Sequence, residues 1–275
     1  MLLTITLLVL IGGLSAIIGS IVGIGGGIII VPTMVYLGVE HGLLHNITTQ
    51  VAIGTSSVIL IVTGLSSSLG YLKTKQVDIK NGSIFLFGLL PGSLLGSFIS
   101  RYLTFESFNL YFGIFLIFVA ILLMVRNKIK PFKIFDKPKY EKTYVDAKGK
   151  TYHYSVPPLF AFITTFLIGI LTGLFGIGGG ALMTPLMLIV FRFPPRVAVG
   201  TSMMMIFFSS IMSSIGHIAQ GHVAWGYAII LIISSYFGAK IGVKVNQSIK
   251  SDTVVTLLRT VMLLMGIYLI IRALI

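Results

Sequence analysis

Val22-Gly23-Ile24-Gly25-Gly26-Gly27, with Pro32 downstream, and Phe175-Gly176-Ile177-Gly178-Gly179-Gly180, with Pro185 downstream, are one phrase written twice. The spacing from last glycine to proline is the same in both. Each copy sits inside apolar sequence. Leu2 to Val39 carries no charged residue, and Phe105 to Val125, Pro157 to Phe191 and Val197 to Phe237 are nearly as clean. Runs of about 20 apolar residues cross about 30 Å of hydrocarbon. Of the 275 residues 56% are hydrophobic and only 10% charged, against about a quarter charged in a soluble domain. The chain therefore reads as an integral membrane protein. Its first residues lack the basic start of a signal peptide and read as a membrane segment.

Hydropathy divides the chain into apolar segments at about 2–22, 26–38, 47–71, 82–100, 105–125, 157–175, 179–191, 197–217, 226–243 and 254–274. The second and seventh are short, and each follows a glycine break, so each reads as a tilted short helix or a re-entrant half-helix. The stretch 126–155 is polar, basic and proline-containing, a linker between two membrane halves at 1–125 and 156–275. Asp146 to Lys150 within it reads as a turn closing a small hairpin.

The repetition continues past the glycines. Gly54-Thr55-Ser56 answers Gly200-Thr201-Ser202, and at the same offset Ser67-Ser68 answers Ser213-Ser214. Gly70 answers Gly216, Val77 answers Val223, and Gly92 with Gly96 answer Gly238 with Gly242. Loop charge alternates the other way. The loop 39–46 has no Lys or Arg, while its counterpart carries Arg192 and Arg196. Lys73, Lys75 and Lys80 lie in a loop whose counterpart, 218–225, has none, and Arg101 stands against Lys240, Lys244 and Lys250. Positive-inside logic then puts equivalent loops on opposite sides. The expectation is an all-α polytopic membrane protein with two inverted-topology repeats of about five segments each. The linker falls in the cytoplasm and both termini outside a cell (inner or plasma) membrane.

The chemistry is read from what such a bilayer tolerates. Broken backbone at membrane depth must be buried in protein or line a cavity, and N–H groups opening a half-helix seat anions. Gly25, Gly26, Gly27, Gly178, Gly179 and Gly180 are thus candidate substrate-binding residues, with close helix packing as the competing use. Packing is favoured for Gly19/Gly23, Gly169/Gly173, Gly92/Gly96 and Gly238/Gly242. Thr55, Ser56, Thr201 and Ser202 offer uncharged donors to an oxyanion, or bonds back to their own helices. Asn46, Thr49 and Gln50 open the third segment and are placed at an outer mouth. All seven acids lie in loops, segment ends or the linker, which argues against a cation pump. His217 and His222 are candidates for proton coupling. His41 and His45 lack a third metal ligand, and without cysteine there are no thiolate sites, so no metal or cofactor is expected. The +13 net charge is placed as the positive-inside rule requires, not as a nucleic-acid patch. With no GxSxG and no specified dyad, an enzyme is not expected. The expected partners are a small anionic substrate, a coupling proton and the lipid bilayer, with a homo-oligomer open.

The glycine break with its proline, the Gly-Thr-Ser after it, the basic turn from Lys73 to Asp78 and the second copy of this pattern together resemble the sulfite exporter TauE/SafE (TSUP) family. The resemblance covers nearly the whole chain outside the linker. It implies a transporter of sulfite or another small sulfur-containing anion such as thiosulfate, sulfoacetate or sulfolactate. Members are mostly exporters, some importers. An alternating-access carrier is the expectation, and an anion channel or passive pore the alternative.

Overall fold

The computed structural model describes residues 2–125, 141–145 and 151–274. Helices α1 (Leu2–Val22), α2 (Gly27–Val35), α3 (Thr49–Lys73), α4 (Ile79–Ile99) and α5 (Phe105–Val125) form the first half. A π-helical turn, Tyr36–Glu40, extends α2, and a 3-10 turn, Ser100–Tyr102, extends α4. Strands β1 (Glu141–Val145) and β2 (Thr151–Ser155) pair antiparallel, Glu141 opposite Ser155 and Val145 opposite Thr151. The turn expected at 146–150 lies outside the described residues, but the strands either side of it form the hairpin's arms. Helices α6 (Pro158–Phe175), α7 (Gly180–Ile189), α8 (Pro195–Ala219), α9 (Trp225–Ser248) and α10 (Ser251–Leu274) complete the bundle. Eight of these helices are long and apolar enough to cross a membrane, while the helices from Gly27 and Gly180 are shorter. The all-α polytopic expectation holds, and the apolar segments fall on the helices with ends displaced by a few residues.

Local chemistry sets the ends. Thr48 caps α3, its hydroxyl accepting from Val51 N, and Asp78 caps α4, accepting from Asn81 N. Prolines at the first positions of α6 and α8 lack the N–H a helix start leaves unpaired. Gly176 ends α6 in the left-handed region at φ 66°.

The sequence neighbours are not the main packing partners. α4 lies along α6, α1 along α9, α3 along α8, and α5 along α10, each pair drawn from opposite halves. Small residues set the first two crossings. A Cβ at Gly92 would meet Phe166 O, and one at Gly96 would meet Ile170 O. In the mirrored crossing a Cβ at Gly238 would meet Gly13 O, and one at Gly242 would meet Ile17 O. Glycine lets the backbones come this close, the main attraction between helices where lipid and side chain are equally apolar.

α3 and α8 form the centre. Their apolar windows are 78% and 72% buried, against 28% for α10. Outside, Phe87, Phe118, Leu159, Leu167, Phe237 and Leu264 are exposed on α4, α5, α6, α9 and α10. An apolar belt on this scale suits hydrocarbon and not water.

Candidate functional site

Both glycine breaks lie at the centre, back to back. Gly23, Gly25 and Gly26 have φ of 78°, 77° and 96°, and Gly176, Gly178 and Gly179 have 66°, 68° and 73°. Only glycine adopts this conformation without strain, so each run turns the chain sharply before a new helix starts at Gly27 or Gly180. A Cβ on Gly27 would sit 2.8 Å from Ile177 Cα, and one on Gly180 would sit 2.6 Å from Gly23 O. Of the six expected glycines, Gly27 and Gly180 thus abut the opposite run, Gly25 and Gly178 share neighbours on α3 and α8, and Gly26 and Gly179 lie against Ser15 and Thr172 of the helices before them; all six are buried.

The Gly-Thr-Ser triplets tie the halves together by crossed, matching bonds. Ser56 Oγ donates to Gly176 O at 2.9 Å, so α3 of one half caps the break of the other. Reciprocally, Gly23 O lies 2.8 Å from the hydroxyls of Ser202 and Thr184, which are 2.8 Å from each other. Thr201 Oγ1 accepts from Asp78 N at 2.9 Å, and Thr55 Oγ1 accepts from Ala224 N at 3.0 Å. The threonines thus hold opposite loops and do not face the breaks. Contacts of the form "i to j and j to i" are those of a two-fold relation.

Side chains that sequence reasoning did not single out complete the centre. Leu60 of α3 and Ile206 of α8, equivalents under the repeat, are wholly buried. Atoms of Leu60 lie 2.9 Å from a Cβ at Gly25 or at Gly178, and atoms of Ile206 lie 3.1 and 3.0 Å from those positions. This apolar pair fills the space between the breaks. Ser209 Oγ donates to Gly178 O at 3.1 Å, adding a third hydroxyl-capped carbonyl. The signal for Leu60 and Ile206 was their matched place in the repeat, but one apolar residue among many carries no mark of its role.

His217, at the far end of α8, is wholly buried, and its Nε2 is 3.1 Å from Gly173 O. His222 lies in the loop beyond, the two rings 6.4 Å apart. Burial pushes the His222 imidazole below its ordinary value. The two candidates for proton coupling are therefore neighbours, away from the paired breaks. At this end a cavity of about 430 Å³ is lined by Thr48, Thr49, Gln50, Arg101 and Thr104 among others. Gln50 Nε2 donates to Leu103 O at 2.7 Å. Asn46 is not among the lining residues and bends the preceding loop at φ 58°.

At the other end Asp78 collects bonds. Lys142 Nζ reaches its Oδ1 at 2.8 Å, and Tyr154 OH and Asn81 Nδ2 reach its Oδ2 at 2.8 Å each. The strand hairpin is thereby fixed to the loop between α3 and α4. Tyr154 also packs on Phe193, ring centroids 4.3 Å apart. Burial and then the neighbouring Asp78 charge push the Tyr154 phenol up.

The family model described as "Sulfite exporter TauE/SafE" matches residues 8–269. The chain belongs to the TauE/SafE sulfite exporter family. It is 43% identical over 264 residues to the "Probable membrane transporter protein YunE" of Bacillus subtilis, covering 96% of each chain. It is 26% identical to the "Probable membrane transporter protein MJ0441" of Methanocaldococcus jannaschii, covering 98% of this chain and 96% of the relative. A shorter stretch, 33% of this chain and 19% of the relative, is 38% identical to "Sulfite exporter TauE/SafE family protein 2" of Arabidopsis thaliana. No solved structure matches. These names describe membrane transporters and not enzymes, and the family match spans both glycine breaks and both Gly-Thr-Ser triplets.

Proposed function

We propose that this TauE/SafE protein is a secondary transporter of a small sulfur-containing anion, namely sulfite, thiosulfate or an organosulfonate such as sulfoacetate. We propose further that it works by alternating access and exports its substrate. The observation that carries the reading is the crossed pair of bonds, Ser56 to Gly176 O and Ser202 to Gly23 O. Each break is held by the other half. A relative movement of the halves must therefore remodel both breaks at once, which a carrier requires and a scaffold does not. N–H groups that open a helix have no intrahelical partner, and those starting α2 and α7 are the donors that remodelling would offer to an anion. Leu60 and Ile206 fill the space the anion would take, so they must withdraw for it to enter. This favours a carrier over a passive pore.

The halves are read as inverted in the membrane. The loop contacts support this. His45 N donates to Tyr227 OH, and Gln220 Nε2 donates to Ser97 O, so loops near 45, 100 and 222 share one end. Asp78 meets Lys142, while Arg196 bonds Gln247 O and Ile249 O, gathering the basic loops at the other. That basic end is the cytoplasmic one by the positive-inside rule. His217 and His222 are the candidates to carry a coupled proton.

The test is uptake of labelled sulfite, thiosulfate and sulfoacetate into proteoliposomes, with and without the same unlabelled anion inside. Saturable uptake stimulated by internal substrate is expected. Non-saturating, unstimulated flux would replace the carrier with a channel, and absence of flux for every sulfur anion would remove the substrate assignment.

A further inference from the structure

A serine hydroxyl within a helix commonly bonds back to a carbonyl one turn earlier, and Ser57, Ser68, Ser93, Ser97 and Ser209 do so here. Ser213 of α8 bonds Ser57 across the seam instead, and two further serines of α8 bond nothing. The Oγ atoms of Ser210 and Ser214 are buried without a hydrogen-bond partner, in residues 0% and 2% exposed. The next position on that helix face is His217. Its Nε2 faces only a carbonyl, Gly173 O, and a carbonyl can only accept. In the neutral ring Nε2 therefore carries the hydrogen, and Nδ1 is left as a bare acceptor. Nδ1 is also buried and unpartnered. Leaving one buried polar group in this state is costly, and three share one face of one helix.

The other half shows that the fold does not demand them. Under the repeat, Ser210, Ser214 and His217 stand opposite Gly64, Ser68 and Tyr71. A Cβ at Gly64 would meet Phe207 N at 2.7 Å. Ser68 bonds Leu65 O. Tyr71 OH donates to Ser20 O at 2.7 Å, as His217 does to Gly173 O. The same anchoring is thus achieved at the three equivalent positions of the first half with no side-chain polar atom left over there.

The stripe begins at the second glycine break, where a Cβ on Gly178 would lie 3.1 Å from Ser210 Oγ. It ends against α3, where a Cβ on Gly54 would lie 3.0 Å from His217 Cβ. Around His217, α3 presents Gly54, α6 presents Gly173 and α4 presents Ser97 beside Gly216. The titratable group facing it is His222.

We propose that Ser210, Ser214 and His217 form a binding station for the transported anion, and that the species taken is a monoprotonated oxyanion such as hydrogensulfite. Ser214 donates to one of its oxygens while His217 Nδ1 accepts its acidic O–H, and Ser210, about two turns away, donates to the anion on its way between the glycine break and His217. This rests on reading the protein as a carrier of a sulfur oxyanion, and narrows it. One negative charge costs less to desolvate than two. An anion without an acidic hydrogen would leave Nδ1 unanswered, which is how buried polar groups reject a near-analogue.

The test uses proteoliposomes and labelled sulfite near neutral pH, with methanesulfonate as competitor, a sulfur oxyanion with no acidic O–H. The wild type is expected to prefer sulfite by about tenfold or more, the effect of about 1.4 kcal/mol. Ser210→Ala and Ser214→Ala should each raise the KM for sulfite about tenfold. His217→Tyr, the residue used by the first half, can still donate to Gly173 O but has no acceptor where Nδ1 stands, and should lose the discrimination against methanesulfonate. His217→Gln keeps both an amide donor for Gly173 O and a carbonyl acceptor, and should retain most of it. Ser68→Ala should transport as wild type. Wild-type KM in both alanine variants, or wild-type discrimination in His217→Tyr, would overturn the station and leave the carrier standing. Absence of saturable sulfite flux in the wild type would overturn both.

Discussion

Asp78 has more bonds than any other acid described in the molecule. Burial pushes its carboxyl up, but the hydrogen bonds from Lys142, Tyr154 and Asn81 outweigh that and hold it below the ordinary carboxylate range. A carboxyl depressed in the folded state contributes stability that is fully present above its unfolded value, about 3.9. That contribution is lost as pH falls through the folded value. Thermal unfolding in detergent should therefore show Asp78→Asn less stable than wild type, by about 1–3 kcal/mol, and evenly so from pH 8 to pH 5. The gap should begin to narrow below about pH 4 and close only as pH falls through the lowered folded value; a gap that does not narrow at all on acidification would show that shape, not charge, is what the asparagine lacks. The Gly-Thr-Ser triplets make a second case at this scale. A Cβ on Gly54 would strike His222 O, and one on Gly200 would strike Gln76 O. Gly54→Ala and Gly200→Ala should each destabilise by about 1–3 kcal/mol, as overpacking does, with the melting temperature as the measure. That the triplets mattered was legible from their repetition. Their partners were not, because Thr55 and Ser56 bond residues of the other half, a whole repeat away in sequence.

The helices themselves were the most legible level, since an uncharged run of membrane length has few other uses. α1 and α5 fall on the ranges read from hydropathy, and the two short helices begin at the glycine runs. Which helix packs on which was not legible. A membrane helix is apolar on every face, so no periodic stripe points at a neighbour. Gly92 and Gly96 marked a close crossing without naming α6 as the other side. The central seam of α3 and α8 is where the carrier reading can be tested on elements. Ser57 Oγ and Ser213 Oγ are 3.1 Å apart across it, and the chain has no native cysteine to interfere. Cysteines at both positions fall within the approach that a disulfide needs. If α3 and α8 separate during transport, the oxidised double variant should lose anion flux, and dithiothreitol should restore it. Flux that survives oxidation would leave this seam closed throughout the cycle and move the access path elsewhere in the bundle.

At the scale of the molecule, the loops divide between two ends, and charge distinguishes them. Lys73, Lys75 and Lys80 of the first half share an end with Arg196 and Lys250 of the second, and the opposite end carries Arg101 alone among the loop cations counted in both repeats. In an anionic bilayer under an inside-negative potential, retention of Lys and Arg on the cytoplasmic face fixes orientation for short loops such as these. On the orientation proposed above, equivalent loops of the two halves face opposite compartments, which requires each half to cross the membrane an odd number of times. This orientation does not depend on how α2 and α7 sit, because each would pair with the long helix before it and return the chain to the same side. Single cysteines in the cysteine-free chain can decide the matter. Leu43 and Gly226 lie at the weakly charged end, Lys80 and Lys250 at the basic end, and all four are exposed. On intact cells a membrane-impermeant maleimide should label Leu43→Cys and Gly226→Cys directly. Lys80→Cys and Lys250→Cys should react only after the membrane is opened. The reverse pattern would turn the whole molecule over and put the strand hairpin outside. Labelling of Leu43→Cys and Lys80→Cys from the same side would do more damage, since α3 joins the two loops and would then fail to cross, and the inverted arrangement with its shared central breaks would fall.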